Sequence, residues 1–510
     1  MNAANSASVV TRKPFTASNS QIWTWALGGI AANAMICTFG QSATIYIVGF
    51  GVSAALVSWA YMLPRILDGI LDPILGHWSD NTHTRWGRRK PFMLGASVLG
   101  TLMLVAVWWA NPHWGQWAKF FHLLVFGTGC YLCYGLYSMT WTALGFELSD
   151  DYNERSRVQA YAGLILTVVL LVNSWIYWLA LRPMFGDGRG RPYLQTGWAW
   201  FYEFVLRQIQ GDPTIKSNEV AGMRWVSAVV GVIIIVSALI TCFFVKERFT
   251  NANVRKHEPI LPALRKAVGN RPFLMLIIYK TFQLFGERVY GGVCVYLNIF
   301  YVCAGNKDLA TKIGGLAGMI GAFWGIAIVP FIKPLSRKFG KRGGLVFGSS
   351  VMFVSAIVQP LVMTPLHPYL MLIPALLTIP VIAISNTMLN AIVPDICDLD
   401  ELQTGERREG LFTSVMGFMA KLEISVSIVI VGYLLTFAGF DAKTATQTPM
   451  VLNRMYWVGI IPNVIFTLAA LVTAMKFPMT EAMTREIHEK LENRHKARME
   501  ESPEAQNTNP

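Results

Sequence analysis

Apolar runs of about 20 residues recur along almost the whole chain, and nothing else in the sequence constrains the fold so strongly. Each run is long enough to cross a hydrocarbon layer as an α-helix, the one open-ended structure that satisfies its own backbone polar groups there. Twelve spans are read, near 22–48, 53–76, 92–110, 119–146, 158–181, 223–245, 272–301, 310–332, 343–363, 367–393, 411–438 and 452–476. A transmembrane barrel would show alternating segments of about ten residues instead. Composition agrees, since 53% of the 510 residues are hydrophobic and only 14% charged. The expected class is an all-α polytopic membrane protein.

The charge has a definite distribution. Lys and Arg outnumber Asp and Glu by 43 to 30, a formal +13 that on a soluble chain would suggest nucleic acid. Here the positive residues cluster between spans, so no nucleic-acid partner is expected; the partner is the bilayer. Loop 79–91 carries Arg85, Arg88, Arg89 and Lys90, and loop 333–342 carries Lys333, Arg337, Lys338, Lys341 and Arg342. The alternate loops "GFGVS", "ANPHWGQW" and "MTPLHPY" carry no Lys or Arg. Both termini are therefore expected in the cytoplasm, with the chain in the cell membrane. The polar start, "MNAANSASVVTRKPFTASNSQ", does not read as a cleaved signal. Cys130 and Cys133 form a CxxC, but inside a span they read as small packing residues.

Two independent loops reveal an internal repeat. "HTRWGRRKPFMLG" resembles "SRKFGKRGGLVFG", with Gly87 and Gly340 separated by 253 residues. "SDDYNERSR" resembles "CDLDELQTGERRE", and Arg155 and Arg408 are 253 apart as well. One shared offset predicts two six-helix halves, the organisation of secondary transporters with a site at the repeat interface. The divisions expected are an N-terminal tail 1–21, a first half 22–245, a linker 246–271, a second half 272–476 and a charged tail 477–510. The first half holds a long outer loop, 182–222, whose "WAWFYEFVLRQI" reads as a short surface helix. The tail reads as a frayed amphipathic helix.

Charge inside the spans points to function. Arg65, Asp68 and Asp72 are spaced three and then four residues apart, one stripe on a helix. Each acid at mid-bilayer would cost about 2.5–3.5 kcal/mol on insertion scales unless partnered. One arginine cannot neutralise two acids, so the surplus carboxylate calls for a mobile cation or another basic residue, although a structural Arg–Asp pair is the plainer alternative. Lys421 lies inside the eleventh span and can meet these acids only across a central cavity. Glu423 is turned about 200° from Lys421 and faces elsewhere. In the seventh span Lys280 and Glu287 lie on one face and could pair. Asn33, Gln41, Ser138, Trp141, Tyr161, Asn386 and Asn390 suit a sugar, the amides and hydroxyls for its hydroxyl groups and the indole for a pyranose face, although helix packing is the plainer reading of each alone.

"GHWSDNTHTRWGRRK" resembles the gating motif of the major facilitator superfamily, with Gly76, Asp80, Arg85, Gly87 and Arg88 in place. Together with "ELSDDYNERSR" and "DICDLDELQTGERREGLF", the run from Arg65 to Phe92 resembles the glycoside–pentoside–hexuronide cation symporters, the melibiose permease-like family. The resemblance implies that Asp68 and Asp72 bind the coupling cation and help hold sugar, with Arg65 beside them and Lys421 as the lysine of helix eleven. It places the family's sugar contacts at Asn33, Ser138 and Thr142, where the galactoside-specific residues are missing. It implies gating roles for Asp80, Arg85 and Arg88, and for Arg155 and Arg408 in the two later loops.

No GxxxxGK[ST] phosphate loop or HExxH zinc motif is present, so neither ATP-driven pumping nor metal hydrolysis is expected, and the chain does not read as an enzyme. The expectation is a Na+- or H+-coupled sugar or glycoside symporter, working as a monomer without other cofactors. The alternatives are a facilitator for lysophospholipid or another amphiphile, and a sensor that binds without transporting.

Overall fold

The computed structural model describes residues 17–148, 152–182, 219–245 and 269–500, except 83, 407, 442–443 and 445, and in addition 247 and 266–267. Among these residues every regular element is a helix. The first six helices are α1 (Asn19–Val48), α2 (Ala54–Asn81), α3 (Lys90–Val107), α4 (Gln116–Phe146), α5 (Tyr152–Ala180) and α6 (Glu219–Phe244). The next six are α7 (Arg271–Tyr296), α8 (Lys307–Ala327), α9 (Val329–Val362), α10 (Leu372–Thr404), α11 (Glu409–Phe437) and α12 (Pro449–Met475), and α13 (Glu481–Glu500) ends the described chain.

Local chemistry explains many of these boundaries. Ser18, Ser53, Asn270, Asn306 and Thr448 each accept a hydrogen bond from the backbone N–H three residues on, which caps the start of α1, α2, α7, α8 and α12. Proline stands in the first turn of α3, α7 and α12, where its missing donor costs nothing. α10 stops at Gly405, whose φ of 77° closes the helix in the left-handed region. The basic segment expected as a loop at 333–342 is instead mostly helical. α9 begins at Val329 and breaks at Gly340, so its first stretch prolongs the eighth span and its second is the ninth.

Among the described residues ten helices are long and apolar enough to cross a membrane. Two further helices carry charge within their length, Arg65, Asp68 and Asp72 on α2 and Lys280, Glu287 and Arg288 on α7. Both run alongside the apolar helices as full spans, which makes this a twelve-span, multi-pass membrane protein. The "WAWFYEFVLRQI" segment lies outside the described residues.

The offset of 253 persists in three dimensions. Added to Ala54, the start of α2, it gives Lys307, the start of α8; Gly87 and Gly340 both have positive φ, 112° and 67°. The start of α6 is only 230 residues from that of α12, because the long 182–222 loop has no equally long counterpart in the second half. α1 packs on α5 and α6, and α3 on α4 and α6; likewise α7 packs on α11 and α12, and α9 on α10 and α12. The two groups meet mainly through α2 against α11 and α5 against α8.

Candidate functional site

The site is built where α2 crosses α11. Asp68 lies about 21 Å along α2, and Lys421 about 18 Å along α11 from the opposite direction. Their side chains meet in an ion pair of 3.1 Å, with Asp68 buried and Lys421 partly open. The sequence-based expectation that Lys421 reaches the acids from the other half is met at Asp68. The Asp72 side chain lies outside the described residues. Arg65, one turn earlier, stacks over Tyr131 of α4 with 5.2 Å to the ring centre. Its buried Nε donates no hydrogen bond. A second guanidinium, Arg288 of α7, comes from the other half close enough to repel it. This interface therefore holds two guanidinium groups besides the Lys421 ammonium.

The polar residues expected to meet a sugar divide into two groups. Asn386 and Asn390, four apart on α10, are exposed and make no described hydrogen bond, and Thr142 is half-buried. Ser138 is engaged by Tyr134, and Asn33 donates its amide to Gly29 O of its own helix at 2.8 Å. Gln41 donates to Asn173. Trp141 corrects the expectation of a free stacking platform. Its ring lies 4.8 Å from Trp25 at an interplanar angle of 9°, and each indole N–H donates to the other residue's carbonyl, at 2.8 and 2.9 Å. The indole is part of the α1–α4 contact. The expected Lys280–Glu287 pair is also absent; Lys280 lines a small void with Glu423, whose buried Oε1 has no hydrogen-bond partner.

At the end of the molecule that bears the basic loops, the motif after α2 folds around two glutamates that the sequence reading missed. Glu247 accepts from the backbone N–H of Arg88 at 3.0 Å and of Arg89 at 3.3 Å, while Glu147 takes both side chains, at 3.0 and 2.6 Å. Positive φ at Gly87 lets the loop turn inward over Glu247, where a side chain would collide with the carboxylate. Arg85 is exposed, and the side chains of Asp80 and Arg155 lie outside the described residues. In the second half Arg408 forms a two-pronged bond to Asp400, at 2.8 and 2.9 Å, and Lys341 pairs with Asp395 at 2.7 Å. Glu147 and Asp400 are themselves 253 residues apart, so the repeat contained the signal that would have found Glu147. No ion pair at this end, among the described residues, joins one half to the other.

The opposite end joins the halves. Lys307 of α8 pairs with the buried Glu219 of α6 at 2.8 Å, and Tyr177 of α5 donates to the same carboxylate. Arg182, stacked on Trp178, pairs with Asp308. Between α2 and α11, Gly432 sits against Ser58 and the Ala54 carbonyl so closely that no side chain would fit, and Trp59 donates to Tyr433 at 3.2 Å. The apolar core is continuous across the halves here, with Tyr46 and Val52 from one and Tyr296, Leu297 and Met455 from the other.

Two six-helix groups, sealed to each other at one end and with charged residues meeting midway between them, define a transporter of the major facilitator type. The chain belongs to the MFS/sugar transport protein family, whose profile matches residues 24–481. It is 25% identical to an uncharacterized symporter of Synechocystis, over 87% of this chain and 91% of that one. It is 24% identical to the isoprimeverose transporter of Lactiplantibacillus pentosus, over 88% and 85%. The fold is similar to that of a bacterial homologue of the human lysosomal transporter Spinster, solved in an inward-facing and occupied conformation. The TM-score is 0.61 at 14% identity, over 90% of this chain and 95% of that one.

Proposed function

We propose that the protein is a secondary active transporter that moves a sugar or glycoside together with a cation by alternating access, as a monomer in the cell membrane with both termini cytoplasmic. The Asp68–Lys421 ion pair between the halves carries this reading. An ion pair inside the membrane is stable only while both partners stay together, because removing one leaves an uncompensated charge. When the halves rock apart at this level, Asp68 must take a proton or a sodium ion in place of Lys421. Asp72, on the same face of α2, joins it in that role. Two carboxylates on one face repel each other when ionised, so a bound cation stabilises the state that lacks the lysine. Coupling follows because the cation binds one arrangement of the halves better than the other.

The loops without Lys or Arg lie at the sealed end, so the positive-inside rule makes this an inward-facing arrangement. Glu147 and Glu247 fold the basic loop within its own half, and re-forming contacts across the basic end would accompany the outward-facing state. Arg65, Asn386 and Asn390 offer donors to the substrate, together with Thr142.

The test is uptake into right-side-out vesicles. A labelled glycoside should accumulate under an inward sodium or proton gradient and should not accumulate when that gradient is collapsed. Whichever gradient drives uptake identifies the ion. Binding of glycoside with no accumulation under either gradient would refute the symport reading.

A further inference from the structure

A cleft opens at the basic end, apart from the Asp68–Lys421 pair and from the loop after α2. It lies between the break in α9 at Gly340, the basic end of α10 and the start of α13, and has a volume of about 300 Å³. Four cations line it, Arg337, Lys341, Arg342 and Arg485, against two carboxylates, Asp395 and Glu481. Both carboxylates are already paired, Asp395 with Lys341 at 2.7 Å and Glu481 with Arg485 at 2.5 Å. That leaves two positive charges in excess. Arg342 spends one N–H on the Met475 carbonyl, and Arg337 is exposed with no described partner. Like charges crowded into one cleft repel each other unless an anion joins them.

We propose that this cleft is a binding site for a phosphate group, carried either by the head of an anionic lipid or by a soluble phosphate. A free phosphate or phosphomonoester bears about −1.5 to −2 charges and offsets the whole excess, the diester of an anionic lipid head bears one and offsets half of it, and the oxygens of either suit the forked donors of arginine. Thr480 and Thr484 add hydroxyls to the wall. Basic pockets between spanning helices on the cytoplasmic side are typical seats for anionic headgroups. Two further observations fit a lipid. Phe339 immediately precedes Gly340 in the cleft wall, and it stacks on Phe347 with both rings exposed, an apolar track running from the cleft along α9. The volume suits a headgroup and is too small for a helix of another protein.

Occupancy would also tie α13 to the second half. α13 is already held there by the buried Ile487 and Leu491 and by the contact of His488 with Asp398 at 3.5 Å. A phosphate in the cleft would bridge Arg485 of α13 to Arg337 and Arg342 of α9.

The experiment is thermal unfolding of the full chain with two probes. One is inorganic phosphate titrated into protein in detergent. The other is phosphatidylglycerol mixed into nanodiscs of phosphatidylcholine. A saturable rise in Tm is expected with at least one probe. The double variant Arg337→Gln/Arg485→Gln should need about tenfold more of it, the loss expected for charge-assisted hydrogen bonds. Both arginines are exposed, so this variant should fold. Lys490→Gln, which lies on α13 outside the cleft, should respond like the wild type. A response to phosphate alone marks a soluble ligand, and a response to phosphatidylglycerol without one to phosphate marks a headgroup; both support the site. No response to either probe, or an equal response in the double variant, overturns it.

Discussion

Lys421 reaches Asp68 from the other half of the molecule, and that single contact makes the coupling chemistry testable residue by residue. Asp68→Asn and Asp72→Asn should abolish uphill accumulation while leaving downhill counterflow of sugar measurable. Lys421→Ala removes one member of a pair whose loss costs about 3–5 kcal/mol when fully buried, and less here because the lysine is partly open. It should impair accumulation as well. Wild-type accumulation by the two aspartate variants would show that the acids are structural. The loop after α2 gives a second prediction. Glu247→Gln weakens the carboxylate's bonds to the Arg88 and Arg89 N–H groups, each worth about 1.5–3 kcal/mol when an ionised partner is involved. Cysteine labelling at Thr84→Cys should then speed up at least several-fold, and an unchanged rate would remove Glu247 from the loop's anchorage.

At the scale of the helices, close approach decides which contacts can open. Gly432→Val places atoms where Ser58 and the Ala54 carbonyl already stand, so α2 and α11 must separate at the sealed end. The expected result is faster labelling of a cysteine introduced at Trp59 from the outer side. The same rate as in the parent protein would mean that the contact can yield elsewhere. Trp141 belongs at this scale too. Because it stacks on Trp25, Trp141→Ala should lower stability by about 3 kcal/mol, in the range for loss of a large packed aromatic. The folded fraction should bind sugar with unchanged affinity. A loss of affinity without loss of Tm would return Trp141 to the substrate site. The span pattern was legible at this scale because apolar length and capping chemistry are local properties. The Trp25–Trp141 contact was not, since an indole suits a sugar face and a neighbouring indole equally well.

The whole molecule is held in one of its arrangements by the sealed end. Lys307→Gln leaves Glu219 buried without its cation, a cost present only while that end is closed. Spin labels at Thr82 and Thr404, at the basic ends of the two halves, should therefore shift toward shorter separations in this variant. An unchanged distance distribution would exclude the Lys307–Glu219 pair from setting the equilibrium. The number of spans, the two-fold repeat and the presence of charge on α2 and α11 are determined by the sequence alone. Each depends on periodicity, on apolar length or on the energy of a charge in lipid, all of which act along one helix. Which charges meet was decided only in three dimensions. Asp68 and Lys421 stand 353 residues apart. Glu247 lies 159 residues from the Arg88 N–H that it holds, and Lys280 shares a small void with Glu423 where the spacing had suggested Glu287 as its partner. Such partners are chosen by how helices cross, and crossing depends on small residues such as Gly432 that let two backbones come close.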